Sequence, residues 1–364
     1  MSFSKILLSR SALQYNIKVI SSLAGSKRII FPVKANAYGH GLEEIVRMSA
    51  SMVDCFMTAT LEEAVKVRQF APENDIFIDL PLINVDDIRE AIERGFVINI
   101  ATTYQLHLLE KLPHDILKGV RVQIEFDTGM NRTGFKYEDL KTVNTFFSRH
   151  PEIKVEGVFT HYATGLDYPE SLRSQYKLFR KILSRIQFRY SFIHSENSAG
   201  LLAFNFSDMD YIRPGITLYG LRPSALYSIS LRPVLSWKSQ VVDVKSVKKG
   251  EGISYGLTFR AERDIKIATV PVGYGDGYPR SLSNKGYVII RGKRVKIIGT
   301  ICMNHLMVNV SEIEGVSVGD EVVILGEAGN DTITADEIAN LAGTINYEIT
   351  TRISPFIPRI IVET

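Results

Sequence analysis

The sequence predicts an α/β fold: a closed (β/α)8 TIM-like barrel followed by a mostly β C-terminal domain. Two observations carry this. Up to about residue 225, eight short apolar runs alternate with helix-like stretches. Beyond it the pattern changes to strands joined by close turns, with a single clear helix at "TADEIANLAG". A chain of 364 residues also exceeds what one hydrophobic core usually supports, which favours two domains.

The strand candidates are "RIIFPVK" (28–34), "CFMTA" (55–59), "DIFIDL" (75–80), "FVINI" (96–100), "VRVQIEF" (120–126), "VEGVFTH" (155–161), "YSFIHS" (190–195) and "MDYIRPG" (209–215). Between them, 61–70, 85–95 and 174–187 have helical spacing of apolar residues, and each strand has a helix candidate after it, the last one or two short. An open doubly wound sheet is the alternative, but no glycine-rich fingerprint follows the first strand. The expected boundaries are a barrel over 9–225 and a β domain over 226–364, with residues 1–8 a strand able to join the second domain.

Composition narrows the function. Hydrophobic residues make up 45% and charged residues 23% of the chain, ordinary values for a globular protein. A formal charge of +3 offers neither a basic stripe for nucleic acid nor an acidic tail. Cys55 and Cys302 are too few for a disulfide framework and lack metal-ligand spacing. The first residues lack the apolar core of a signal peptide, and no run approaches the ~18 apolar residues of a membrane span. The expectation is a cytoplasmic protein that uses no metal.

In the fifth strand Val120, Val122, Ile124 and Phe126 alternate with Arg121, Gln123, Glu125 and Asp127. The first set suits packing under outer helices; the second would point into the barrel. Barrel active sites lie at the C-terminal ends of the strands. There the sequence places Lys34, Asp127, Arg132, His161, His194, Asn197, Ser198 and Arg213. Singly, each has a plain reading: Ser198, for example, can be no more than a helix N-cap. Together they concentrate two arginines, a lysine and two histidines on one rim, which calls for an anionic or polar ligand. Gly215 and Ile216 open an expected short helix whose N–H groups can bind phosphate. A strand-end lysine beside a phosphate site points to pyridoxal 5′-phosphate (PLP), although many barrels bind phosphate without it.

The motifs that follow are more specific. "VKANAYGHG" (33–41), "DTGMNRTG" (127–134), "THYAT" (160–164), "HSENSAG" (194–200), "RPGITLYG" (213–220), "ISYGLTF" (253–259), "VGYGDGYPR" (272–280), "GTICMNHLMV" (299–308) and "INYEITTRISPFIPR" (345–359) occur in that order. In this the chain resembles the alanine racemases over nearly its whole length. The resemblance implies that Lys34 carries PLP, with phosphate contacts from Tyr38, Ser198 and the N–H groups of Gly215 and Ile216, and with Asn197 in the cofactor site. It implies Arg213 at the pyridine nitrogen, His161 between Arg213 and a catalytic Tyr255, and Arg132 near the substrate carboxylate. Tyr255, Tyr274 and Met303 would reach the site from a second subunit, which implies a homodimer with shared active sites.

The implied reaction is interconversion of L- and D-alanine by two bases, Lys34 and Tyr255, supplying D-alanine for peptidoglycan precursors. A racemase for serine or another small amino acid is the alternative. A barrel-fold PLP decarboxylase fits less well, because Arg213 replaces an acidic partner at the pyridine nitrogen. A non-catalytic PLP carrier fits less well because such proteins resemble the barrel alone. Three residues depart from the family pattern. Glu125 stands where many members carry a carbamylated lysine, and would meet Arg132 loosely or through water. Asn304 stands where an aspartate is usual, and Pro355 where a tyrosine commonly touches the phosphate.

Overall fold

A computed structural model describes residues 3–363 of the chain. The eight strands that follow the first helix are β2 (Arg28–Pro32), β3 (Cys55–Thr58), β4 (Asp75–Ile78), β5 (Val97–Ile100), β6 (Arg121–Glu125), β7 (Lys154–Phe159), β8 (Phe192–Asn197) and β9 (Tyr211–Arg213), numbered after an N-terminal β1 (Lys5–Ser9). They pair in parallel, each with the next, and β9 returns to β2 through Arg28–Tyr211 and Ile29–Ile212. The predicted barrel is therefore closed.

Helices follow β3, β4 and β5 at Leu61–Phe70, Val85–Glu93 and Thr103–Leu109, each begun by a Thr or Asn side chain that accepts an N–H of the first turn. The last strand departs from expectation. Residues 214–221 after β9 form consecutive tight turns, with Leu218 N–H donating to Gly215 O at 3.0 Å and Gly220 N–H to Thr217 O at 3.1 Å. Gly215 and Ile216 thus open no helix. Gly220 turns the chain sharply, at φ +84°, and a Cβ there would lie 1.9 Å from Arg232 O. Beside this exit lies the helix Arg10–Ala24, whose Asn16 donates to Leu218 O at 3.3 Å and Arg232 O at 2.7 Å.

The alternation in β6 sorts as its side-chain period requires. Val120, Val122, Ile124 and Phe126 join the large core shared with the helices. Inside the barrel Ile30, Cys55, Met57, Phe77, Val97, Phe159 and Tyr211 form a separate apolar plug. The inward row of β6 serves three different purposes. Arg121 pairs with Glu156 and Asp75 at the strand's start, Gln123 meets His194 above the plug, and Glu125 lies higher still, near the barrel mouth. Asp127 lies beyond the strand. Its carboxylate accepts Gly129 and Asn131 N–H groups and pairs with Lys136 at 2.6 Å, so it shapes the following loop.

The C-terminal part is a ten-stranded, mainly antiparallel sheet among the described residues. β1 enters it, pairing antiparallel with Leu235–Gln240 and parallel with Arg359–Val362. This sheet and the barrel touch at the lysine turn. A Cβ on Gly39 would fall 1.9 Å from Thr350 O, and Arg359 donates to Gly39 O at 2.8 Å.

Candidate active site

β2 delivers Lys34 to the barrel mouth, and the four residues after it take an unusual path. Ala35, Asn36, Ala37 and Tyr38 all have φ of 53–54°, one turn of left-handed helix without a glycine. Such a conformation costs about 1–2 kcal/mol per residue, so it persists only where neighbours hold it. Ala35 N–H donates to Glu63 at 2.7 Å, Leu42 N–H to the Asn36 side chain at 2.9 Å, and Gly41 N–H to Asn36 O at 3.0 Å. The turn brings the Tyr38 ring to 4.9 Å from Tyr219 and its hydroxyl toward the β9 exit, where a Cβ on Gly215 would lie 2.5 Å from that oxygen. The missing Cβ leaves a cradle.

The donors around this cradle are largely unused. The Tyr38 hydroxyl and the N–H groups of Gly215 and Ile216 make no hydrogen bond to any described residue. Ser198 and Thr217 share a single contact of 3.0 Å between their hydroxyls, which engages one of two protons. Asn197 caps the short helix Ser198–Ala203 through Gly200 N–H at 2.9 Å and touches His161 Nε2 at 3.3 Å. Pro355 is exposed and contributes nothing to the cradle.

Arg213 is buried at the end of β9. One terminal nitrogen donates to His194 Nδ1; the other donates to Thr160 O at 2.8 Å and Ser195 O at 3.3 Å, and lies 3.4 Å from His161 Nδ1. Its Nε–H makes no hydrogen bond to a described residue and is not sealed from solvent. His194 passes the support downward, its Nε2 lying 2.8 Å from the Gln123 side-chain oxygen. Burial, then the charge of Arg213, holds His194 well below the ordinary histidine value, so it is neutral. The same causes, in the same order, push His161 down to about 3. Burial also brings Arg213 down to about 10, which leaves it charged at neutral pH.

Lys34 Nζ lies 2.8 Å from Asp79 Oδ2. Burial alone would lower the lysine's pKa; the Asp79 carboxylate and then Tyr38 outweigh it, and the net value is raised. Asp79 was not among the sequence-derived candidates. Asp79 is the first residue after β4, next to last in "DIFIDL", so the strand-end rule that selected Lys34 and His161 also reaches Asp79. Glu125 makes no direct hydrogen bond to Arg132. It accepts from Asn99 at 2.9 Å and bonds Thr133, while Arg132, exposed beyond it, makes no hydrogen bond to any described residue. Asn99, from the adjacent strand, is a side-chain partner of Glu125.

Tyr255, Tyr274 and Met303 stand elsewhere, 74%, 41% and 58% exposed on the β domain. None makes a side-chain hydrogen bond to Lys34, His161 or Arg213. They are nevertheless one structure. Ser254 Oγ donates to Thr300 O at 2.5 Å and Thr300 Oγ1 to Tyr255 O at 2.8 Å. Tyr274 and Gly275 N–H groups donate to Cys302 O at 3.1 Å and Met303 O at 2.8 Å. Ser254 and Leu257, at φ 65° and 48°, flank Tyr255 in strained conformations.

Known proteins resemble this chain over nearly its whole length. The family model for the alanine racemase N-terminal domain matches residues 8–223, and that for the alanine racemase C-terminal domain matches 234–361. The alanine racemase of Halothermothrix orenii is 37% identical, covering 96% of this chain and 94% of its own. Alanine racemase 2 of Caldanaerobacter subterraneus subsp. tengcongensis is 35% identical over 99% and 95%. The E. faecalis alanine racemase structure superposes with a TM-score of 0.92 at 32% identity, covering 99% of this chain and 98% of that one. The Bacillus anthracis structure with bound L-Ala-P gives 0.91 at 31% identity, over 100% and 95%. On these grounds the chain belongs to the alanine racemase family of amino-acid isomerases.

Proposed function

We propose that this chain interconverts L- and D-alanine with PLP held on Lys34, using Lys34 and Tyr255 as acid/base groups on opposite faces of the substrate, and that its D-alanine serves peptidoglycan synthesis. The observation that carries the reading is the set of unspent donors at the barrel mouth. Tyr38 hydroxyl, the Gly215 and Ile216 N–H groups and the Ser198–Thr217 pair suit a phosphate. The free Nε–H of Arg213 suits a ring nitrogen, with Lys34 available at the aldehyde end. When bound, PLP supplies an electron sink for negative charge at the substrate α-carbon.

The chain's own residues divide the remaining work. Arg213 keeps its proton, so it donates a hydrogen bond to the ring without protonating it. Arg132, free of protein acceptors, is available to orient the substrate carboxylate. Lys34 Nζ holds or takes a proton on one face. Tyr255 needs to reach the other face, and its own barrel does not receive it; a partner subunit that inserts Tyr255, Tyr274 and Met303 completes the site. The unit is therefore a homodimer, with the barrel over 9–225 and the β domain over 226–364. Racemisation needs both faces, so neither base alone suffices.

Incubation of the purified protein with L-alanine and PLP should yield D-alanine until the two enantiomers are nearly equal. Borohydride treatment should then leave the cofactor's mass on the peptide that contains Lys34. Absence of D-alanine from a PLP-loaded dimer would refute the proposal.

A further inference from the structure

We propose that Asp79 is a positioning residue for Lys34: its carboxylate fixes the lysine amine at the barrel mouth and favours the protonated form. The inference rests on the reading of Lys34 given above and adds a residue to it.

The geometry is specific. Asp79 follows β4, and its backbone is held from both sides. Its N–H donates to Thr58 O of β3 at 2.8 Å, and its carbonyl accepts from Asn99 of β5 at 2.8 Å. Asn99 gives a second bond to Glu125 at 2.9 Å, so three consecutive strands set the position of one carboxylate. Among the described residues, the Asp79 carboxylate makes one hydrogen bond, the 2.8 Å contact to Lys34 Nζ, and Lys34 Nζ makes no other. The two side chains are 10% and 29% exposed. An exposed pair of flexible side chains would hold little. Here one partner is fixed and nearly dry, so the amine is confined.

The charges around the pair make its effect directional. Lys34, Arg132 and Arg213 are the cations of the mouth; Asp79 and Glu125 are its carboxylates; His161 and Tyr38 face the same space as neutral groups. Asp79 is the carboxylate in contact with Lys34. Burial raises its pKa and the Lys34 contact lowers it further, with a net value below the ordinary aspartate. A lysine held as ammonium is ready to donate a proton and less ready to accept one. Loss of Asp79 should reverse that bias.

The test reads the amine itself. Full-length protein stripped of PLP is labelled with acetic anhydride across a range of pH, and the Lys34 peptide is quantified by mass spectrometry against the exposed Lys285 in the same digest. In the wild type the Lys34 midpoint should lie above that of Lys285. Asp79→Asn should lower it by about one pH unit, giving roughly tenfold faster labelling below the midpoint. Asp79→Glu should restore part of the shift. A folded Asp79→Asn protein with an unchanged midpoint would overturn the proposal. So would a wild-type midpoint at or below that of Lys285, which needs no variant to fold. Borohydride trapping of PLP tests the Lys34 reading separately, since amine labelling is independent of whether the cofactor attaches there.

Discussion

The barrel mouth and the Tyr255 surface of the β domain, which the proposed mechanism joins in one reaction, are built in opposite ways. The mouth is supported from within. Arg213 rests on His194, which rests on Gln123, and Lys34 is held by an aspartate that three strands position. The β-domain surface is braced behind and open in front. Thr300, Cys302 and Met303 backbones hold the turns of Tyr255 and Tyr274, yet the side chains themselves stand in solvent. A site finished on one side and a tyrosine without a site on the other are complementary halves. On the proposed two-base mechanism, the difference teaches that the single chain carries both groups but does not bring them into contact.

Mixing subunits tests that division most strongly. On the proposed mechanism Lys34→Ala removes both a base and the cofactor's attachment, so it should abolish racemisation. Tyr255→Phe should cost at least about 10²–10⁴-fold, the usual contribution of one acid/base group. In heavy water it should suppress α-proton exchange from one enantiomer and spare the other. Neither variant should work alone. A mixed dimer of the two would hold one doubly defective site and one intact site, so activity should return to about half per mixed dimer. Proven subunit exchange without recovery would mean that each barrel uses its own tyrosine.

Acid should distinguish the two regions by stability. His40, His161 and His194 are all held neutral in the barrel portion; burial is the leading cause for each, and the first two are lowered to about 4 and about 3. Their folded pKa values lie below that of an unfolded histidine. The unfolded chain therefore binds more protons below about pH 6.5, and stability falls as pH falls through that window. Each histidine contributes a slope of up to about 1.4 kcal/mol per pH unit, so three give at most roughly 4. Glu125 and Glu196, raised chiefly by burial, act in the opposite sense near their own titrations and offset part of the loss. Urea unfolding at pH 7.5, 6.5 and 5.5 should show the decline, and His40→Gln should remove one histidine's share. A flat profile down to pH 5.5 would contradict the assignment of three neutral histidines.

What was legible in the sequence follows the same line between local and long-range structure. Alternation along residues 120–126 sorted inward from outward side chains because a strand's period is local. Strand-end position selected Lys34, His161 and Arg213 for the same reason. The left-handed turn at Ala35–Tyr38 was invisible, since only Asn36 of "ANAY" adopts that backbone readily and the bonds that hold the turn come partly from Glu63. The roles of Gln123 and His194 depend on a contact across the barrel, and the Glu125 partner proved to be Asn99 from the adjacent strand. The expected helix at Gly215 is a run of tight turns instead, closed by Leu218 N–H to Gly215 O and Gly220 N–H to Thr217 O.

The smallest expected effect concerns how the open surface is braced. Thr300 Oγ1 donates to Tyr255 O at 2.8 Å and meets Thr258 Oγ1 at 3.1 Å. Thr300→Val keeps the shape and removes both contacts. One such hydrogen bond contributes about 0.5–1.5 kcal/mol net, so thermal or urea unfolding should show a loss of about 1 kcal/mol. Tyr255 is flanked by residues at positive φ, a conformation that relaxes once its tether is gone. The tyrosine should then spend less time in its working position. Turnover should fall by less than about tenfold, since 1.4 kcal/mol is a factor of ten in rate, while KM for alanine changes little. The loss should also appear in the heavy-water experiment as slower exchange on the enantiomer assigned to Tyr255 and not on the other. Equal slowing of both enantiomers would make Thr300 a general stabiliser of the fold. Selective slowing would show that the β domain positions its tyrosine as the barrel positions its lysine.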